Sequence, residues 1–99
     1  MIFELATINL MEGKNAEFER GVVEALPIFR RAKGFKSLKL ERSLEHPLRY
    51  FLVVEWEKVD DHVVHFRNSD DFQAWRALVG HTFVEPPSVE HTEAVLADT

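Results

Sequence analysis

The chain has 99 residues, of which 45% are hydrophobic and 29% charged, and carries a formal charge of −5. One core must serve so short a chain, so this is a single domain. The absence of cysteine excludes disulfides, thiolate metal sites and a cysteine nucleophile. An acidic balance argues against nucleic acid, and no apolar run reaches the ~20 residues of a membrane helix. No basic-then-apolar leader opens the chain, which makes the cytoplasm the expected setting.

The first strand is read from Ile2 to Leu10. Alternation places Ile2, Ala6, Ile8 and Leu10 on one face together with Glu4, and Phe3, Leu5, Thr7 and Asn9 on the other. Met11-Glu12-Gly13 is the turn that follows, with Gly13 free to take positive φ. A helix is expected from about Lys14 or Asn15 to Ala32, with Asn15 as N-cap and Gly34 in a left-handed C-terminal cap. Phe18, Val22, Ala25, Leu26, Phe29 and Ala32 form its apolar stripe, and the internal Pro27 predicts a bend. Arg30, Arg31, Lys33 and Lys36 cluster at its end, where cations complement the helix dipole.

Phe35 to about Ser43 reads as a second strand, and Glu45-His46-Pro47 as the turn to a third, Arg49 to Glu57. This third strand is apolar along one face (Tyr50, Leu52, Val54, Trp56) and half apolar along the other (Phe51, Val53). A short helix is expected from Asp60 to Arg67, capped by Asp60 or Asp61. Ser69 caps another, whose stripe is Phe72, Trp75, Leu78 and Val79, closed by Gly80. Glu85-Pro86-Pro87 is a stiff connection to a last strand, Ser88 to Leu96, and Ala97 to Thr99 is a frayed tail.

The order β-α-β-β-α(α)-β is the ferredoxin-like pattern: an α+β fold with a four-stranded antiparallel sheet and helices on one face. The apolar residues on the other face of strands one and three predict a homodimer, with the open sheet faces packed together.

The chain resembles the antibiotic biosynthesis monooxygenase family, the dimeric α/β-barrel proteins, from residue 2 to about 96. The resemblance rests on the order and spacing of several segments. These are Met11-Glu12-Gly13-Lys14, Val54-Glu55-Trp56-Glu57, Asp61 to Arg67 followed by Trp75-Arg76, and Pro86-Pro87 leading to Val89-Glu90-His91. It implies one such domain over residues 1–99, and it brings in a family of cofactor-free oxygenases of anthrones and quinols. The same family includes heme-degrading enzymes, isomerase-like proteins and members of unknown role. The heme-degrading branch carries an asparagine on strand one and a tryptophan and a histidine on the helices. Asn9 is on that strand, but Ala6, Phe66 and Arg76 stand at the matching positions. The triad is not reproduced, so heme is not expected.

His62 is the expected catalytic residue, as base or as orienting donor, since imidazole titrates near neutrality; the alternative is a polar residue at the edge of the core. Trp56, Trp75, Phe66 and Phe72 supply aromatic surface between sheet and helices, with Trp75 the first choice for a pocket wall. His91 reaches either the pocket or the dimer interface. Asn9 and Arg67 complete the candidate substrate contacts. His62 and His65 are three residues apart on a helix but lack a third ligand at a recognisable spacing, so no metal is expected. No flavin, nicotinamide or phosphate-binding glycine motif is present. The function that the resemblance implies is cofactor-independent oxygenation of a small aromatic or quinol-type molecule between sheet and helices; the residues themselves point to an aromatic-lined site with a titratable group. A ligand-binding dimer without activity, and an isomerase or tautomerase, are the alternatives.

Overall fold

A computed structural model describes residues 1–99. It gives β1 (Ile2–Asn9), α1 (Asn15–Arg30), β2 (Phe35–Arg42) and β3 (Arg49–Trp56). A π-helical turn (Asp61–Phe66), α2 (Asp70–Val79), a 3-10 turn (Gly80–Thr82) and β4 (Ser88–Thr92) follow. The strands pair in the order β2-β3-β1-β4, every neighbouring pair antiparallel. This is the ferredoxin-like fold expected from the order of elements.

The two long central strands follow the predicted alternation. Glu4, Ala6 and Ile8 of β1 are buried with Tyr50, Leu52, Val54 and Trp56 of β3, all on the face that the helices cover. From α1 come Phe18, Val22, Ala25, Ile28 and Phe29, and from α2 Trp75 and Val79. Each large apolar side chain fully buried there contributes about 1.5–3 kcal/mol. Gly21 lets the two helices approach closely, because a Cβ at this position would lie 2.8 Å from Val79 Cγ1 and 2.9 Å from the Leu78 carbonyl oxygen. Arg31 fastens the same pair with two hydrogen bonds to Asp71, at 2.8 and 2.7 Å. The other face of the sheet has no cover within the chain. Phe3, Leu5 and Val53 are half-buried there, and Phe51 is exposed.

Local details differ from the sequence reading for identifiable reasons. Asn15 does not cap α1; its amide donates instead to the Pro47 carbonyl at 2.9 Å and to the Tyr50 hydroxyl at 3.1 Å, tying the helix start to the β2–β3 turn. The helix ends at Arg30 rather than Ala32, but Gly34 does take positive φ, as does Gly13. α1 continues through Pro27. The proline removes a hydrogen bond to the carbonyl of Val23, a residue on the exposed side of the helix where water can replace it. β4 stops at Thr92, not Leu96, because Thr92 pairs with Phe3 and β1 begins only one residue earlier. Ser69 caps α2 as expected, its hydroxyl oxygen accepting from the Phe72 N–H at 3.2 Å.

Candidate functional site

Strand register brings together residues that are far apart in the chain. Glu4 on β1 faces Val54 on β3 and, on its other side, His91 on β4. It is the one ionisable residue among the buried positions of β1. The indole N–H of Trp56 donates to Glu4 Oε1 at 3.0 Å.

Above them, the turn from Asp61 to Phe66 closes with the Arg67 N–H bonded to the His62 carbonyl at 3.0 Å, a five-residue loop of the π type. Such turns recur at functional sites. Here the turn directs His62 into the protein and leaves His65 exposed. Asp61 anchors its start, with Oδ2 accepting from the Lys58 N–H at 3.2 Å.

The His62 ring stacks on Trp56, with centroids 5.6 Å apart and planes 17° from parallel. Its Nε2 lies 3.3 Å from Glu4 Oε1, and its Nδ1 lies 2.8 Å from His91 Nε2. One ring nitrogen of His62 is thus hydrogen-bonded to His91, and the other stands beside the Glu4 carboxylate. Glu4, His62 and His91 have the composition of a metal-ligand set, but they contact one another and no three donors converge on one point.

Burial raises the pKa of Glu4 to about 7, against the lowering effects of the Trp56 N–H and the Arg67 charge. Burial also holds His62 down to about 3, with Arg67 and His91 adding to the effect. His91 is lowered by the same two influences, burial first and then Arg67. At neutral pH, therefore, His62 is a neutral imidazole and Glu4 is poised between acid and carboxylate. With the carboxylate ionised, Trp56 Nε1–H donates to Glu4 Oε1 and His91 Nε2–H can donate to His62 Nδ1, which places the His62 Nε2–H beside the carboxylate without a hydrogen bond to it.

The second carboxylate oxygen of Glu4 makes no hydrogen bond, yet no buried polar atom of the chain lacks a partner. That oxygen therefore opens on the cavity that Glu4 lines, about 290 Å³ in volume, between the sheet and α2. Ala6, Ile8 and Leu52 form its floor, with Phe72 and Trp75 of α2 in the opposite wall. Arg67, Arg76, Pro86 and Pro87 also line it.

Of the residues singled out in the sequence, His62, Trp75, Phe72 and Arg67 line this cavity together. Trp56, Phe66 and His91 lie behind it. Trp56 is completely buried under His62, Phe66 packs between Phe29 and Trp56, and His91 holds the far nitrogen of His62. Asn9 is apart from all of them: it belongs to the uncovered face, where its Oδ1 accepts from Arg49 Nε at 3.1 Å. Two polar cavity residues, Glu4 and Arg76, were not among the candidates. The signal for Glu4 was a single carboxylate on an otherwise apolar strand face, which must be neutralised or paired to be buried.

The family model described as antibiotic biosynthesis monooxygenase matches residues 1–78. The uncharacterized protein YczJ of Bacillus subtilis (strain 168) is 40% identical over 96 residues, covering 96% of this chain and 100% of that one. A solved structure from Bordetella bronchiseptica, named for the same monooxygenase family, is similar at a TM-score of 0.95 and 54% identity. The match covers 96% of this chain and 97% of that one. A Caulobacter crescentus structure, also named for the family, has a TM-score of 0.81 at 26% identity, over 96% of this chain and 90% of that one.

Proposed function

The chain belongs to the antibiotic biosynthesis monooxygenase family, and from that premise we propose that it oxygenates a small aromatic or quinol-type molecule in the cavity beneath α2, without a cofactor. One observation carries the reading. A carboxylate oxygen of Glu4, on a group titrating at about 7, faces an otherwise mostly apolar cavity, with the Trp56 N–H fixing its partner oxygen and His62 beside it. A general base is most effective when its pKa lies near the working pH.

In the proposed reaction, Glu4 removes a proton from an activated ring CH₂, as in an anthrone, leaving an electron-rich carbanion. The carbanion donates electrons to dioxygen and a C–O bond forms. Glu4 returns the proton to the peroxide. Loss of the second C–H proton then breaks the O–O bond, giving a carbonyl and water. The balance is R₂CH₂ + O₂ → R₂C=O + H₂O: the substrate supplies all four electrons and no outside reductant is consumed. His62, at a pKa of about 3, is too weak a base for the first step; its neutral ring, stacked on Trp56 with Nε2 3.3 Å from Glu4 Oε1, walls the carboxylate on one side. Phe72 and Trp75 hold the ring plane, and the enclosed floor excludes water from the carbanion.

A second reading has its own support. A single poised acid–base group facing a cavity is all that a tautomerase needs, and proton transfer alone consumes no oxygen. The uncovered apolar row of Phe3, Leu5, Phe51 and Val53 supports a homodimer with sheets face to face. No helix is long and apolar enough to cross a membrane, which is compatible with the proposed cytoplasmic setting.

The test is oxygen uptake by metal-stripped protein supplied with anthrones, quinols and catechols, beside Glu4→Gln. Uptake that depends on Glu4 supports the oxygenase. Isomerisation without uptake supports the tautomerase, and binding with neither supports a ligand-binding protein.

A further inference from the structure

The cavity carries positive charge that the proton chemistry does not use. Arg67 follows the π-helical turn and Arg76 lies in the last turn of α2, and both line the cavity. Neither takes part in any ion pair or side-chain hydrogen bond of the chain. Arg31, in the same helical layer, shows the contrast: Asp71 holds it with two bonds. Glu4 is the only acidic residue lining the cavity, and it is buried, with one oxygen bonded to Trp56.

The two guanidinium groups are therefore free to meet a ligand. Arg76 Cζ sits 5.9 Å from the centroid of the Phe72 ring, a cation–π contact that keeps the guanidinium beside the aromatic wall. A neutral ligand would gain little from this arrangement. An aromatic anion would satisfy both halves of it, with its ring against Phe72 and Trp75 and its charge on a fork that matches carboxylate geometry.

We propose that the ligand of this cavity is an aromatic acid of one or two rings, its carboxylate or equivalent anionic oxygen held at the mouth by Arg67 and Arg76. The proposal refines the function proposed above and rests on it for the identity of the cavity as the active one. The volume of about 290 Å³ lies near the lower limit of ligand pockets, ~300 Å³, which favours a small ring system.

Charge at the mouth is also coupled to the base. The Arg67 charge lowers the pKa of Glu4, His62 and His91 alike. An anion paired with Arg67 removes that influence, so Glu4 binds its proton more strongly when the ligand is in place. The other groups facing Glu4 are His62 from the turn, His91 from β4 and the uncharged indole of Trp56 from β3.

The experiment is calorimetric titration of the full chain near pH 7 with 2-naphthoate and with its neutral isostere 2-naphthamide. Naphthoate should bind at least about tenfold more tightly, the modest scale of one charge-assisted pair. It should also take up protons on binding, read from buffers of different ionisation enthalpy. The double variant Arg67→Gln/Arg76→Gln should lose the preference and keep the affinity for the amide, while Glu4→Gln should keep the preference and lose the proton uptake. Equal affinity for the two probes, binding of neither, or a preference that survives in the double variant would overturn the proposal. Naphthoate-selective binding without oxygen uptake from any member of the panel keeps the anion site and removes the oxygenase. Oxygen uptake from neutral quinols with no preference for naphthoate does the reverse.

Discussion

Glu4 of β1 and His91 of β4 stand directly opposite each other in the sheet, yet their side chains are connected through His62, which lies 3.3 Å from the one and 2.8 Å from the other. The neighbouring positions come from strand register, and the connecting ring comes from a π-helical turn 58 residues after Glu4 (62 − 4). Glu4→Gln tests what this arrangement does. Glutamine keeps an oxygen for the Trp56 N–H and nearly the same volume, so the fold should survive by circular dichroism. Oxygen uptake should fall by about 10²–10⁴-fold, the usual range for losing a general base. Uptake within a factor of about three of the parent would assign proton removal to another group.

Glu4 and His62 each set a pH dependence of stability, and the two have opposite signs. Glu4 is raised on folding from 4.5 to about 7, so between those values the folded chain binds more protons there, and stability falls as pH rises. His62 is lowered from 6.5 to about 3, so between those values the unfolded chain binds more protons there, and stability rises with pH. From pH 4.5 to 6.5 the two slopes cancel. Glu4→Gln removes only the falling one. Urea unfolding across this window should show the variant gaining on the parent with pH, by about 1.4 kcal/mol per pH unit. Parallel curves for the two proteins would mean that Glu4 titrates as an ordinary carboxyl.

Activity has a separate pH expectation. The reactive form of Glu4 is the carboxylate, so turnover should climb through about pH 7 and level off above it. The profile of kcat/KM against pH checks this. A rising limb centred near 4.5 would show that burial does not shift the group in the working enzyme.

Much of this site was visible in the chain before folding. The alternation along residues 2 to 10 put Glu4 on the same face as Ala6 and Ile8, and it put Asn9 with Phe3 and Leu5 on the other. Parity alone therefore argued for Glu4 and against Asn9 as a residue of the helix-covered side. The partners of Glu4 were not visible in the same way. That His91 would face it depends on the β1–β4 register, which is fixed by where β1 begins and by the two prolines before β4. That His62 would point inward while His65 stays outside depends on a five-residue backbone loop, and an ordinary helical period does not encode it. The fold itself was legible because hydrophobic spacing, Ser69, Gly13 and Gly34 each specify local geometry without reference to distant residues.

Two glycines test the packing that holds the site. Gly21→Ala improves helix propensity by about 0.5–1 kcal/mol. It also places a methyl group 2.9 Å from the Leu78 carbonyl oxygen, a backbone atom that cannot yield without moving α2. The clash should dominate, with a net loss of about 1–2 kcal/mol in urea unfolding, since overpacking typically costs ~1–3 kcal/mol. Gly34→Ala combines a left-handed φ of +79° with a Cβ that would collide with the Asp61 carboxylate, the anchor of the π-helical turn. It should lose activity as well as stability, because His62 is carried by that turn. Gly21→Ala should affect stability first. An unchanged midpoint for Gly21→Ala would mean that the helices separate at little cost.

The uncovered sheet face provides the last test. In β3, Phe51 and Val53 point away from the helices, and Leu5 pairs with Val53 while Thr7 pairs with Phe51, so the four side chains form one continuous patch. An apolar surface at the centre of a sheet is more readily hidden by a second sheet than left in water. Two copies related by a two-fold axis would each bury the same patch. Val53→Lys puts a charge in the middle of that surface without entering the core, where Leu52 and Val54 face the opposite way. In sedimentation at micromolar concentration, the parent should run as a dimer and the variant as a monomer with unchanged helix content. A monomeric parent would remove the dimer and leave Phe51 and Val53 as a surface for some other partner. A dimeric variant would place the contact elsewhere, because an unpaired lysine at the centre of an apolar interface costs more than such an interface can readily absorb.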